Sequence, residues 1–75
     1  MPDDLLQRVR ETIATCFGLA PEAVGADTAQ ADVEAWDSVG HLNLMLLVED
    51  TFGVTLDVPD MERLTSVRAL VAFLE

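Results

Sequence analysis

Apolar side chains recur at helical spacing along most of this chain. Leu5 and Leu6, Val9, Ile13 and Phe17 follow one another at the period of a single helix face. Asp3 or Asp4 can cap the start of that run and Gly18 can end it, so a first helix is predicted over 3–17. A second helix is predicted from Asp37 or Ser38 to Phe52, closed by Gly53, with His41, Leu44/Met45, Val48 and Phe52 as its inward stripe. Val39, Leu42, Leu46 and Leu47 lie off that stripe. The helix is therefore more apolar than one buried face requires: either it is the central element, or part of it faces a partner. Gly53 to Leu56 reads as an extended link, and Val58 to Leu64 as a short helical turn with Pro59 at its start. Thr65 is the expected cap of a last helix with Val67, Leu70, Val71 and Leu74 as its apolar face and Phe73 beside it. Residues 18–37 form a long irregular stretch in which Pro21 and Glu22 favour one helical turn and Leu19, Val24 and Val33 offer anchors. No strand alternation or internal repeat is visible. The pattern predicts an all-α fold, a small four-helix bundle with three main helices, one short helix and a long first loop.

Composition narrows the class. With 75 residues there is room for a single domain. Area scaling gives a folded surface of roughly 4,500 Å², too little interior for an enzyme-sized cleft. An apolar fraction of 51% argues against intrinsic disorder. Fourteen acids stand against four bases, all of them arginine, for a net charge of −10. Such a surface repels nucleic acid and anionic membranes and favours basic protein partners. Cys16 is the one cysteine, which excludes an internal disulfide and a cysteine-based zinc site. The start Met-Pro-Asp-Asp lacks a secretory pattern and no apolar run is long enough to span a bilayer, so the expectation is a monomer in the cytoplasm.

The informative segment is Asp32-Val33-Glu34-Ala35-Trp36-Asp37-Ser38-Val39-Gly40-His41-Leu42. Ser38 falls where the long loop meets the most apolar helix, with its hydroxyl near unpaired backbone N–H groups that suit a phosphate. Read locally, Asp37 or Ser38 is simply a helix cap. His41 on the apolar stripe reads as a packed, hydrogen-bonded residue whose partner the sequence does not place. Cys16 reads as a small packed side chain, since nothing basic stands near it. Asp57, Asp60 and Glu62 read as a solvated acidic face. Asp32-Val33-Glu34 lacks the turn glycine and closing glutamate of a calcium loop, and no metal site is expected.

Asp37-Ser38-Val39 resembles the Asp-Ser-Leu signature of acyl carrier proteins and peptidyl carrier domains. The likeness covers essentially the whole chain. Leu42 through Phe52-Gly53-Val54 is similar to the family's second helix and its exit, and Val58-Pro59 to the Ile-Pro that follows. Leu64-Thr65-Ser66-Val67, with Leu70, Phe73 and Leu74, is similar to the fourth helix. The resemblance implies a bundle of the acyl-carrier type, a single carrier domain over 1–75, and a covalent 4′-phosphopantetheine on Ser38, with Asp37 as its motif neighbour. It implies no catalytic residue in this chain: the arm's thiol would hold an acyl or aminoacyl group as a thioester. The implied partners are a phosphopantetheinyl transferase, a loading ligase or transferase for the acyl or aminoacyl group, and a downstream acyltransferase or ketosynthase. The second helix would dock them through Val39, Leu42, Asn43, Leu46, Glu49 and Asp50.

Ala35-Trp36 stands where many members have Gly-Ala or Gly-Gly, and Gly40 and Asn43 replace frequent acids. These differences point away from generic fatty-acid synthase enzymes. Trp-Asp-Ser-Val-Gly-His resembles stand-alone carriers of specialised pathways, including those that hold aminoacyl or C3 hydroxyacyl units, and type II polyketide carriers share the same frame. The alternatives are a fatty-acid carrier within the same family, and a helical interaction module with no prosthetic group.

Overall fold

The computed structural model describes residues 2–75, with side chains from residue 4 onward. Its helices are α1 (Pro2–Phe17), α2 (Ser38–Phe52), α3 (Val58–Arg63) and α4 (Val67–Leu74). The expected bundle of three main helices and one short one is present. Asp3, expected as a possible cap of α1, has its side chain outside the described range, and Asp4 lies inside the first turn. At the other end of α1 the Leu19 N–H returns to the Ala14 carbonyl at 2.8 Å, a six-to-one closure that stops the helix after Phe17. α2 stops the same way. Gly53 takes φ +66°, a conformation that costs a side-chain-bearing residue, and the Val54 N–H bonds back to the Glu49 carbonyl at 3.2 Å.

α1 packs along both α2 and α4. The core is built from Val9, Ile13 and Ala14 of α1, Leu44, Met45 and Val48 of α2, Val67 and Leu70 of α4, and Val24, Trp36, Leu56 and Leu64 from the connections. The inward stripe of α2 matches expectation, and Val39, Leu42 and Leu46 are 70%, 52% and 53% exposed.

Two expectations need correction. Ser66, not Thr65, caps α4: its Oγ accepts the Ala69 N–H at 3.1 Å. Thr65 is committed elsewhere, because its carbonyl accepts the Gln30 N–H at 2.8 Å. With the Val67 N–H on the Thr28 carbonyl at 2.9 Å, this makes a one-rung antiparallel bridge between Ala29 and Ser66. Asp57 and Asp60 are more than a solvated acidic face. They form a reciprocal capping box on α3, in which each carboxylate accepts the other residue's N–H. Among the described residues no cluster of acids converges as a metal site.

The long loop is fastened rather than loose. It holds the expected turn at Pro21–Ala23 and a second, unexpected 3₁₀ turn at Gln30–Asp32, where an Asp32 oxygen accepts the Ala29 N–H at 3.0 Å. Arg10 of α1 donates to the carbonyls of Val24 and Pro21 and so clamps the first turn to the bundle. Val24 is fully buried beneath that clamp.

The arginines do little to neutralise the acids. Arg10 bonds to carbonyls, and Arg8 lies over the Phe52 ring at 4.6 Å. Arg68 pairs with Asp27, but both side chains are mostly exposed and such a pair contributes little. A net charge of −10 is thus spread over 4502 Å² of surface with little internal compensation. Compactness brings these charges together, so screening favours the folded chain. The melting temperature at pH 7 is expected to rise when NaCl goes from about 10 mM to about 200 mM, as the screening length falls from about 30 Å to under 10 Å. An unchanged or lower melting temperature at the higher salt refutes this.

Candidate functional site

Ser38 is the first residue of α2, and Asp37 is the cap. The Asp37 side chain accepts the Gly40 N–H at 2.8 Å, and its carbonyl accepts the His41 N–H at 2.7 Å. Of the two cap candidates, Asp37 therefore takes the structural role and leaves Ser38 uncommitted. Ser38 is exposed, and no group among the described residues bonds to its hydroxyl. The N–H groups of Ser38 and Val39 belong to the helix's unpaired first turn. The arrangement offers a phosphate ester a free hydroxyl beside unspent backbone donors at the positive end of a helix. Asp37, the nearest carboxylate in sequence, is already engaged by Gly40.

The loop reaches this helix through an unusually close approach at Gly40. A Cβ there would stand 2.3 Å from the Ala35 carbonyl oxygen and 3.0 Å from the Phe17 ring. Only a residue without a side chain lets the loop backbone close on the first turn of α2 at this point.

Trp36 anchors the approach from inside. It is 2% exposed, and its ring stacks on Phe17 with centroids 5.6 Å apart. Its Nε1–H donates to His41 Nδ1 at 2.8 Å. Indole nitrogen only donates, so Nδ1 must be the accepting nitrogen and the proton sits on Nε2. That Nε2–H donates to the Met61 carbonyl at 2.6 Å. Met61 lies in the last turn of α3, where carbonyls lack intrahelical partners, so His41 completes the end of α3 as well as the Trp36 bond. The expectation that His41 is packed and hydrogen-bonded holds, and its partners are now identified. The burial of Trp36 and the closeness at Gly40 were not anticipated. A lone large aromatic in a polar loop was the available signal for Trp36, because exposing so much apolar surface is costly.

Two shallow depressions flank Asp37. One, of about 650 Å³, is lined by Leu19, Ala23, Val33 and Ala35 together with Asp32 and Glu34. The other, of about 380 Å³, lies between the end of α1 and the start of α2 and includes Cys16, Phe17, Val39 and Asn43. Cys16 is half-buried against the core, and burial pushes its thiol above the ordinary range, which lowers its thiolate fraction further. Val39, Leu42, Asn43, Leu46 and Asp50 are exposed along α2. Glu49 is half-buried, and its carboxylate accepts the Leu56 N–H at 2.8 Å, holding the exit of the helix.

A family model described as "Phosphopantetheine attachment site" matches residues 7–74. The chain is similar to an acyl carrier protein of Streptomyces coelicolor, 32% identical over 71 residues that cover 93% of this chain and 77% of the relative. It is similar to acyl carrier protein 2 of Pseudomonas aeruginosa, 30% identical over 73 residues covering 97% and 92%. An acyl carrier protein of Campylobacter hominis is 25% identical over 72 residues covering 96% and 91%. A helical bundle with an exposed serine opening its second helix thus coincides with a match over nearly the full length, and the chain belongs to the phosphopantetheine-binding acyl carrier family. Its cofactor is covalently attached 4′-phosphopantetheine, and it carries rather than catalyses.

The close approach at Gly40 yields a test with a reversed sign. In an open helix interior, Gly→Ala stabilises by about 1 kcal/mol. Gly40→Ala is expected instead to destabilise by about 1–3 kcal/mol, because the methyl forces the Ala35 backbone away. Urea unfolding measures it, and a stabilised variant would show that the loop does not close on the helix as described.

Proposed function

We propose that Ser38 bears the phosphopantetheine arm and that residues 1–75 act as one carrier domain. The position of Ser38 carries this reading: it is exposed and hydroxyl-bearing, and it sits at the first residue of a helix whose cap and tight turn belong to its neighbours. In attachment, Ser38 Oγ bonds to the phosphorus of coenzyme A that bears the pantetheine. The pyrophosphate bond breaks, the hydroxyl proton passes to a base on the transferase, and adenosine 3′,5′-bisphosphate leaves. The arm supplies a thiol that holds an acyl or aminoacyl group as a thioester, and tethering replaces diffusional delivery by a high effective concentration.

The cargo is delivered to enzymes of a specialised pathway, of the polyketide or aminoacyl kind. Trp36, Gly40 and Asn43, where generic carriers differ, support this. The second reading is a carrier for fatty-acid synthesis, favoured by relatives that bear the plain name acyl carrier protein. The mass of the cargo on protein taken from its native cell separates the two. The proposed setting is the cytoplasm; among the described residues no helix is long and apolar enough to cross a membrane.

The partners are a phosphopantetheinyl transferase, a loading ligase or transferase, and a downstream acyltransferase or ketosynthase. They meet α2, with Val39, Leu42 and Leu46 as the apolar centre of contact and Asn43, Glu49 and Asp50 beside them. A matching surface presents an apolar groove rimmed by Arg or Lys.

Two experiments test the reading. After co-expression with a phosphopantetheinyl transferase, intact mass should show one pantetheine adduct on the native chain and none on Ser38→Ala. An adduct persisting in that variant, or found on Ser66, removes Ser38 from the role. Leu46→Glu should weaken transferase binding about tenfold or more, the loss of roughly 1.4 kcal/mol at an apolar contact centre. Its circular-dichroism melt should stay close to that of the native chain, since the side chain is half exposed.

A further inference from the structure

The relay from Trp36 through His41 to Met61 has a consequence for the class of cargo. We infer that Trp36 and His41 close the bundle at the Ser38 end, so that the cargo rides outside the core and the chain carries short or polar acyl groups rather than long alkyl ones. This rests on Ser38 bearing the arm.

An alkyl chain tethered at Ser38 gains by leaving water in proportion to the methylenes it buries. The loop residue two positions before Ser38 is Trp36, and its side chain belongs to the buried core. Its indole is among the largest fully buried side chains and packs on the Phe17 ring at the end of α1. It is held by more than packing. Displacing it breaks the bond to His41 Nδ1 and the stack on Phe17. Prising α3 from α2 at this end breaks the bond from His41 Nε2 to the Met61 carbonyl. Every buried side-chain polar atom among the described residues is satisfied, so an entering alkyl chain would create unpaired polar groups and put hydrocarbon against them. The two depressions beside Asp37 are open at the surface and lie outside this closure. They can shelter a short acyl group or the arm without disturbing the relay.

The closure acts as a filter only while both residues are present. His41→Leu leaves the indole N–H and the Met61 carbonyl without partners. Trp36→Phe keeps the aromatic stack and removes the N–H. Either change weakens the staple and admits an alkyl chain, whereas His41→Gln, which can accept from the indole and donate to the carbonyl, should restore exclusion.

The experiment loads the full chain with acetyl- and octanoyl-pantetheine amides, which cannot hydrolyse, and checks each product by intact mass and peptide mapping. A missing adduct, or one mapped away from Ser38, would sink the attachment reading and the inference with it. With the adduct on Ser38, the comparison of the two chains tests the closure alone. The acetyl and octanoyl forms of the native chain should melt within about 1 °C of each other, since a group left in solvent adds nothing to the folded state. Emission from Trp36, the sole tryptophan, should be the same in both. An octanoyl form that melts several degrees higher, or shifts the Trp36 emission, overturns the inference. In His41→Leu and in Trp36→Phe the octanoyl form should melt several degrees above the acetyl form, and in His41→Gln the difference should vanish. If neither of the first two variants that folds gains that difference, these residues are not what excludes the chain.

Discussion

The bond from Trp36 Nε1 to His41 Nδ1 is the interaction on which the geometry around Ser38 depends. Because the indole can only donate, it dictates which imidazole nitrogen is bare, and the remaining N–H has one place to go, the end of α3. Loop, α2 and α3 are thereby joined through two hydrogen bonds and one buried ring. The same ring leans on Phe17, the last residue of α1, so the loop that delivers Ser38 is referenced to three helices at once. Deleting the imidazole would leave a donor and an acceptor unmatched, a loss larger than that of the bonds themselves. Trp36 and His41 are therefore best regarded as one unit.

The long loop is the part of a 75-residue chain most expensive to order, and its cross-links are distributed accordingly. Arg10 holds residues 21–24, the bridge to Thr65 and Val67 holds 28–30, and Trp36 holds the end. Between them no long span is left unfastened. The arrangement uses main-chain carbonyls as acceptors for arginine, which explains why so basic a residue lies here without relieving the acidic surface. It also explains the role of Ser66. With the Thr65 carbonyl and the Val67 N–H given to the loop, the residue between them is the one free to turn its side chain onto the first turn of α4.

Much of this was legible in the sequence because helical periodicity is a local property. The stripes of α1, α2 and α4, the exposed remainder of α2, the turn at Pro21 and the stop at Gly53 all follow from spacing and from the backbone preferences of single residues. The choice of Ser38 rested on a short motif in the right frame, and the geometry adds why it is free: Asp37 takes the cap. What the sequence hid was non-local. Thr65 and Ser66 are equal as caps until the bridge to Ala29 separates them. Gly40 looked like a missing acid and is a contact of backbone on helix. His41 had no visible partner because one partner is a main-chain carbonyl twenty residues away, which no composition can announce. The capping box of Asp57 and Asp60 was within reach, since an acidic pair three residues apart around Pro59 carries that signature.

Acidity and exposed apolar surface in this chain are two parts of one solution. Val39, Leu42 and Leu46 leave α2 with aliphatic area that a small bundle would ordinarily hide, and copies of such a surface attract one another. A net charge of −10 opposes that self-association, because bringing two copies together through α2 also brings like charge together. The same charge favours contact with a surface of opposite sign. Apolar contact alone would not tell a copy of this chain from a partner enzyme, and charge alone would give no fit. Together, exposed apolar area and like charge disfavour pairing of this chain with its own copies while leaving the apolar face of α2 open. Of the arginines, Arg10 is given to loop carbonyls and Arg8 to the Phe52 ring rather than to acids, so the surface keeps its acidic character.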